Sequence, residues 1–202
     1  MKNNTYIKFE EICRKAKGYI RTKELLEQGF SNRQIAVLEK EDYLEKVCYG
    51  YYWLKGRGDE KPKDYKCIEV CLSDARAVVC MESALYYQKE INLEPEYLTV
   101  ATERTDRSSL KMNYPVRRHY FSKNNFGIGI EKKKTEFGSY NIYNVERSIC
   151  DVIRLKDQIT TEISLIDQIV VEITRIDKRE QYNRLMQYAK LLKINELHVK
   201  HF

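Results

Sequence analysis

The sequence predicts an α+β protein of two domains, residues 1–56 and 64–202, joined by a linker at 55–66. Three observations predict it. KGRGDEKPKDYK (55–66) sets two glycines, a proline and dense charge between two apolar-periodic regions, which is linker composition. Before it, three short helical patterns precede a tyrosine-rich hairpin pattern. After it, helical and β-rich stretches alternate. With 202 residues, 43% of them hydrophobic, the chain has enough apolar material for a real core in each half.

The elements of the first half follow from spacing and stop signals. Tyr6, Phe9, Ile12, Cys13 and Ala16 recur at helical spacing and end before Gly18. Residues 19–21 read as a short extended piece. Thr22 is placed to cap a second helix, KELLEQ, which Gly29 closes. A third helix, about 32–41, carries three start signals at once. Ser31 is the N-cap, Gln34 stands at the capping-box position, and Phe30 with Ile35 has the spacing of a hydrophobic staple. Val47, Tyr51 and Trp53 are strand residues, and Tyr49-Gly50 is a hairpin turn. Three short helices followed by a hairpin is the order of a winged helix-turn-helix.

In such a module the third helix enters the major groove with its N-terminal residues toward base edges. Ile35 and Leu38 face inward, which leaves Asn32, Arg33, Ala36, Val37 and Lys40 on or beside the outer face. Arg33 suits guanine O6 and N7, Asn32 or Gln34 an adenine edge, Val37 a thymine methyl and Lys40 a phosphate. The DNA-contacting candidates are therefore Thr22, Ser31, Asn32, Arg33, Gln34, Val37 and Lys40, with Tyr49 at the wing tip between Lys46 and Lys55. The alternative is a protein-contact module whose polar face is merely solvated. Glu39, Glu41, Asp42 and Glu45 lie close behind the helix, so weak nonspecific DNA binding is expected.

The second half reads as a helix over 75–91 with Val78, Met81, Leu85 and Tyr86 on its apolar side, then strands at 96–102 and 115–122. Glycines 127, 129 and 138 punctuate a hairpin or two further short strands. A helix starts near Glu146, and two more are expected at about 161–175 and 178–193.

Net charge is +6, and the surplus sits in residues 101–150, with 10 Lys/Arg against 5 Asp/Glu. Arg104, Arg107, Lys111, Arg117, Arg118 and Lys123 form a candidate surface for an anionic partner. The competing reading is a solvated sheet edge protected by positive charge. On one strand Arg117, His119 and Phe121 share a face, with Arg118 and Tyr120 on the other. Glu131-Lys132-Lys133 has the E-x-K form of metal-dependent nucleases, with Asp106 the nearest upstream aspartate, but Asp106 lies in a polar, non-strand segment. Cys67 and Cys71 stand at metal-like spacing without two further ligands, so six reduced, buried cysteines are expected. No catalytic constellation, phosphate loop, cofactor motif or metal site is evident. The N-terminus has no secretory pattern and no window reaches membrane-spanning length, which predicts a cytoplasmic protein without membrane contact.

The succession of segments resembles the AbiEi family, antitoxins of AbiE-type (type IV) toxin–antitoxin systems. GYIRTKELLEQGFSNRQIAVLEKEDYLEKVCYGYYWL is similar to its winged helix-turn-helix. AVVCMESALYYQKEI carries its Ser-Ala-Leu step (Ser83, Ala84, Leu85), and YLTVATER resembles the strand that follows. YNVERSICDVIR matches its Glu-Arg, hydroxyl and Asp pattern (Glu146, Arg147, Ser148, Asp151), and RLMQYAKLLK its final helix. The resemblance implies a repressor of its own operon, bound to double-stranded operator DNA at inverted repeats. It also implies a C-terminal domain of mixed α/β build that counteracts a nucleotidyltransferase-like toxin, in phage defence by abortive infection, without a stable complex. The protein is then no enzyme, and copies that are monomeric in solution meet cooperatively on DNA. The wing reads CysTyrGlyTyrTyr (48–52), without the arginine that often precedes the glycine in the family. Two alternatives remain: a winged-helix-targeted metal-dependent nuclease, and a one-component transcriptional regulator.

Overall fold

A computed structural model describes residues 2–16, 18–55, 60–155 and 179–194. The helix expected over 161–175 and residues 56–59 of the expected linker lie outside the described residues. The fold is mixed α+β and divides into two compact units. The first comprises residues up to Ala75 with 110–113 and 135–139. The second comprises 76–109, 114–134 and the residues from Tyr140 onward.

The first unit runs α1 (Lys2–Lys15), β1 (Tyr19–Arg21), α2 (Thr22–Glu27), α3 (Asn32–Lys40), β2 (Leu44–Cys48), β3 (Tyr51–Leu54) and α4 (Tyr65–Ser73). The strands form an antiparallel sheet in the order β1-β3-β2. Phe9 and Ile12 of α1, Leu25 of α2, Ile35 and Leu38 of α3, and Leu44 and Leu54 of the hairpin close one apolar core. A second cluster gathers Val47, Cys48 and Trp53 with Leu72, Met112 and Phe137. Trp53 packs its ring 5.6 Å from Phe137. That packing is why 110–113 and 135–139, distant in sequence, belong to this unit. Gly18 has φ +80, and a Cβ there would stand 2.7 Å from the Phe137 ring, so this entry to β1 takes glycine alone.

Two sequence expectations change here. The cap of α2 is Arg21, whose backbone N–H donates to Glu24 at 2.7 Å, and Thr22 is the first helical residue. The second unit was expected to open at residue 64, whereas α4 packs within the first. Lys61 bridges Glu45 of β2 (2.5 Å) and buried Glu69 of α4 (2.6 Å), and Leu72 joins the Trp53 cluster.

The second unit runs β4 (Val78–Val79), α5 (Met81–Tyr87), β5 (Leu98–Glu103), β6 (Val116–Phe121), α6 (Lys123–Phe126), β7 (Ile130–Thr135), β8 (Gly138–Tyr143), α7 (Val145–Arg154) and α8 (Arg179–Leu191). Its sheet order is β6-β5-β4-β8-β7, with β4 antiparallel to β5 and parallel to β8, and β5 parallel to β6. The helix expected over 75–91 is therefore a correction. Val78 and Val79 are the central strand, fully buried and paired on both sides, and helix begins only at Met81. Two β-branched residues between two partners gain ladder hydrogen bonds on both edges, which outweighs helical spacing. Asn144 caps α7, accepting from the Arg147 N–H at 3.0 Å, and residues 146–153 are all buried. This unit's core joins Val78, Leu85, Ala101, Phe121, Tyr143, Ile149 and Leu185.

Candidate nucleic-acid interface

Helix α3 is fixed from three sides. The Ser31 N–H donates to Gln34 Oε1 at 2.8 Å and the Gln34 N–H to Ser31 Oγ at 3.3 Å, so the capping box closes. Gln34 Nε2 then donates to Thr5 Oγ1 of α1 at 2.9 Å. Ile35 and Leu38 are buried beneath. The orientation of α3 thus rests on its cap, its apolar side and α1 together.

What this leaves outward is Asn32, Arg33, Ala36, Val37 and Lys40, all exposed. Asn32 and Arg33 occupy the first turn, the end that carries free backbone N–H groups and the positive end of the helix dipole. Such an end accepts an anion; the Asn32 amide offers a base edge a donor and an acceptor, and the Arg33 guanidinium two parallel donors. Ser31 and Gln34 sit in the same turn but spend their polar atoms on the cap. They fix the start of the helix and leave Asn32 and Arg33 exposed.

The turn between β2 and β3 lies at Tyr49-Gly50, with Gly50 at φ +82. Tyr49 is 98% exposed, the most exposed large hydrophobic side chain among the described residues, whereas neighbouring Tyr52 and Trp53 are buried. Nothing in the core requires an aromatic ring there. Thr22 is half-buried and donates its backbone N–H to Gly50 O at 2.9 Å, tying the start of α2 to this turn. Exposed Arg21 places its guanidinium 5.5 Å from the Tyr51 ring.

The acidic residues behind α3 have partners. Lys55 pairs with Asp42 at 2.7 Å, and Lys61 with Glu45. Tyr6 donates its hydroxyl to Glu41. Hydrogen bonding to that carboxylate raises the Tyr6 pKa. Burial, then Glu39, raises that of Tyr52. Glu69, beneath the hairpin, is pushed up by burial against the opposing pull of Lys61. Two of the four repelling charges are thereby matched by lysines, and local acidity opposes DNA less than the sequence suggests.

One basic residue changes company. Lys111, read from sequence with the basic run of the second half, lies in the first unit. Asn113 donates to Lys46 O at 2.7 Å, and Met112 packs into the Trp53 cluster. Exposed Lys46 and Lys111 line, with Tyr49, an open groove of about 580 Å³ along β2. Sequence gave no signal of this, because it depends on a tertiary contact across 67 positions.

Among the other basic candidates, Arg104, Arg107 and Lys123 are exposed on the second unit. Arg117 is half-buried over the Tyr97 ring at 4.5 Å. Arg118 is a structural residue. Its Nε donates to Thr102 Oγ1 at 2.8 Å, its guanidinium bonds Ser108, and it stands 3.4 Å from buried Asp106. Asp106 also receives Arg76 at 2.9 Å, so this carboxylate anchors the 104–109 segment. Glu131 pairs with Lys133 at 3.2 Å on β7, an edge strand whose exposed lysines discourage strand pairing. Among the described residues no group of three or more His, Cys, Asp or Glu side chains is placed to hold a metal. The six cysteines are free and buried. No helix among the described residues is long and apolar enough to cross a membrane.

Comparison with family models and with curated proteins finds no match to this chain.

Proposed function

We propose that this protein is a DNA-binding repressor of its own operon and the antitoxin of a type IV toxin–antitoxin pair, acting in the cytoplasm. In this reading the first unit is a winged helix-turn-helix, with α3 the recognition helix and β2–β3 the wing. The observation that carries the DNA-binding part is the first turn of α3. Ser31 and Gln34 are consumed in locking the helix, while Asn32 and Arg33 stand exposed, as does Tyr49 at the hairpin turn. A face with no role but solvation has no need of so tightly fixed a presentation.

The antitoxin part rests on the order of segments resembling the AbiEi family. Two copies meet on an inverted repeat, and the second unit counteracts a nucleotidyltransferase-like toxin without catalysis. The experiment is binding of the purified chain to the duplex immediately upstream of its gene, against a scrambled duplex, over a salt series. Preferential, salt-sensitive binding with two successive shifted species is expected. Equal weak binding to both duplexes would remove the repressor reading. Growth rescue from the neighbouring toxin tests the antitoxin part separately.

A further inference from the structure

Four buried side-chain polar atoms among the described residues have no hydrogen-bond partner: Glu82 Oε2, His119 Nε2, Arg147 Nη2 and Arg154 Nε. All four residues belong to the second unit, and the fold gathers them on one side of its sheet. In the parallel β5–β6 register Thr99 pairs with Arg117, Ala101 with His119 and Glu103 with Phe121. Alternation along a strand then sends Thr99, Ala101, His119 and Phe121 to the same side. Glu82 of α5 reaches that side through Thr99, whose hydroxyl donates to Glu82 Oε1 at 2.6 Å. Arg147 and Arg154 of α7 reach it at Phe121, with guanidinium carbons 5.3 and 4.9 Å from the ring centroid. The His119 ring lies 6.5 Å from the same centroid.

The charge at this spot is incompletely matched. Asp151 is the carboxylate both guanidiniums share, through Arg147 Nε at 2.9 Å and Arg154 Nη2 at 2.8 Å. Arg147 and Asp151 are wholly buried, and Arg147 Nη1 is spent on the carbonyls of Asn125 and Ile128. Glu146, the other carboxylate on α7, pairs with Arg184 instead. Two guanidiniums bonded to one carboxylate leave a cation and two donor nitrogens, Arg147 Nη2 and Arg154 Nε, short of acceptors. Buried polar groups in native proteins are almost always satisfied, by protein, water or ligand. Guanidinium N–H groups beside an imidazole are the donor set that phosphoryl oxygens take. Arg154 is 23% exposed and opens the cluster toward solvent.

We propose that the Arg147–Arg154–His119 cluster of the second unit binds a small phosphoryl oxyanion. The cluster belongs to the second unit and α3 to the first, and the proposal does not depend on DNA binding. Burial, then Arg117 and Arg154, lowers the His119 pKa, so the imidazole enters the site neutral and offers a single N–H.

The test uses the full chain in a phosphate-free buffer, with thermal shift and calorimetry. Inorganic phosphate and a nucleoside 5′-monophosphate are titrated against sodium chloride at matched ionic strength. A saturable rise in Tm with phosphate, absent with chloride, is expected. It should weaken at least fivefold in Arg154→Gln and in His119→Gln, and persist in Arg33→Ala, which lies in the first unit. Tighter binding of the nucleotide would make a nucleotide phosphoryl the natural occupant, and equal or weaker binding a free anion. No saturable response from the folded wild-type chain overturns the proposal. So does a response unchanged in whichever of the two cluster variants remains folded.

Discussion

Gln34 closes on Ser31 from both directions and then spends its amide on Thr5 of α1, so one side chain fixes both the start of α3 and its angle to a second helix. Removing the cap hydroxyl in Ser31→Ala is expected to lower stability by about 0.5–2 kcal/mol. Denaturant unfolding measures this, with the midpoint shifting and the slope unchanged. Gln34→Ala should also reduce DNA affinity at temperatures where the chain stays folded, because it frees the helix angle. A Ser31→Ala protein as stable as wild type would show that the apolar side of α3 suffices to hold it.

Arg33 is exposed in the first turn, where a base-reading side chain belongs in the proposed interface. Arg33→Ala should weaken operator binding by about 1–3 kcal/mol, roughly 5- to 150-fold, and relax sequence preference at one position per half-site. Operator affinity within twofold of wild type would end the assignment of α3 as the reading helix. Since Arg33 has no core contact to lose, its unfolding midpoint should stay unchanged, which separates recognition from folding.

Local signals carried much of this structure. The α3 cap, the hairpin at Tyr49-Gly50, β5, β6 and the start of α7 were legible because capping, turn chemistry and two-residue alternation are short-range properties. Val78-Val79 was not, because its valines fit the apolar stripe of a helix, and only the strands on either side select the extended form. Helix α4 was hidden by the charged composition just before it, although its residues 67–71 are all buried. At the candidate interface, the exposed residues of α3 were legible from helical phase. Lys111 was not, since Asn113 and Met112 dock onto β2 by a contact that leaves no local trace. Arg118 looked like surface charge until Asp106 and Ser108 closed around it.

The placement of Lys111 gives a prediction unlike that for Arg33. Lys46 and Lys111 line one groove with Tyr49, and in the proposed interface lysines there would meet the DNA backbone as point charges. Lys46→Ala and Lys111→Ala should each weaken binding to operator and scrambled duplex alike. Each should also reduce the slope of log affinity against log salt by about 1. Arg104→Ala, in the second unit, is the control and should leave the slope unchanged. A slope unaltered by both groove substitutions would mean that the wing side of the module does not reach phosphate.

His119 supplies a pH dependence whose sign follows from its surroundings. Burial, then Arg117 and Arg154, holds its folded-state pKa below the ordinary value. Below the unfolded value of about 6.5 the unfolded chain therefore takes up a proton that the folded chain refuses, and stability falls with pH until the folded pKa is reached. The limiting slope for one such group is about 1.4 kcal/mol per pH unit. Buried Glu69 works the other way at lower pH, because its raised pKa favours the folded state as the carboxyl protonates. Comparison with a single variant isolates the histidine term. Unfolding of wild type and His119→Gln between pH 8 and 5 should give curves that are parallel above pH 7 and converge below it, as the wild type alone loses stability to the His119 proton. Curves parallel over the whole range would mean that His119 titrates alike in the folded and unfolded chains. The imidazole would then be neither desolvated nor repelled by the arginines that surround it.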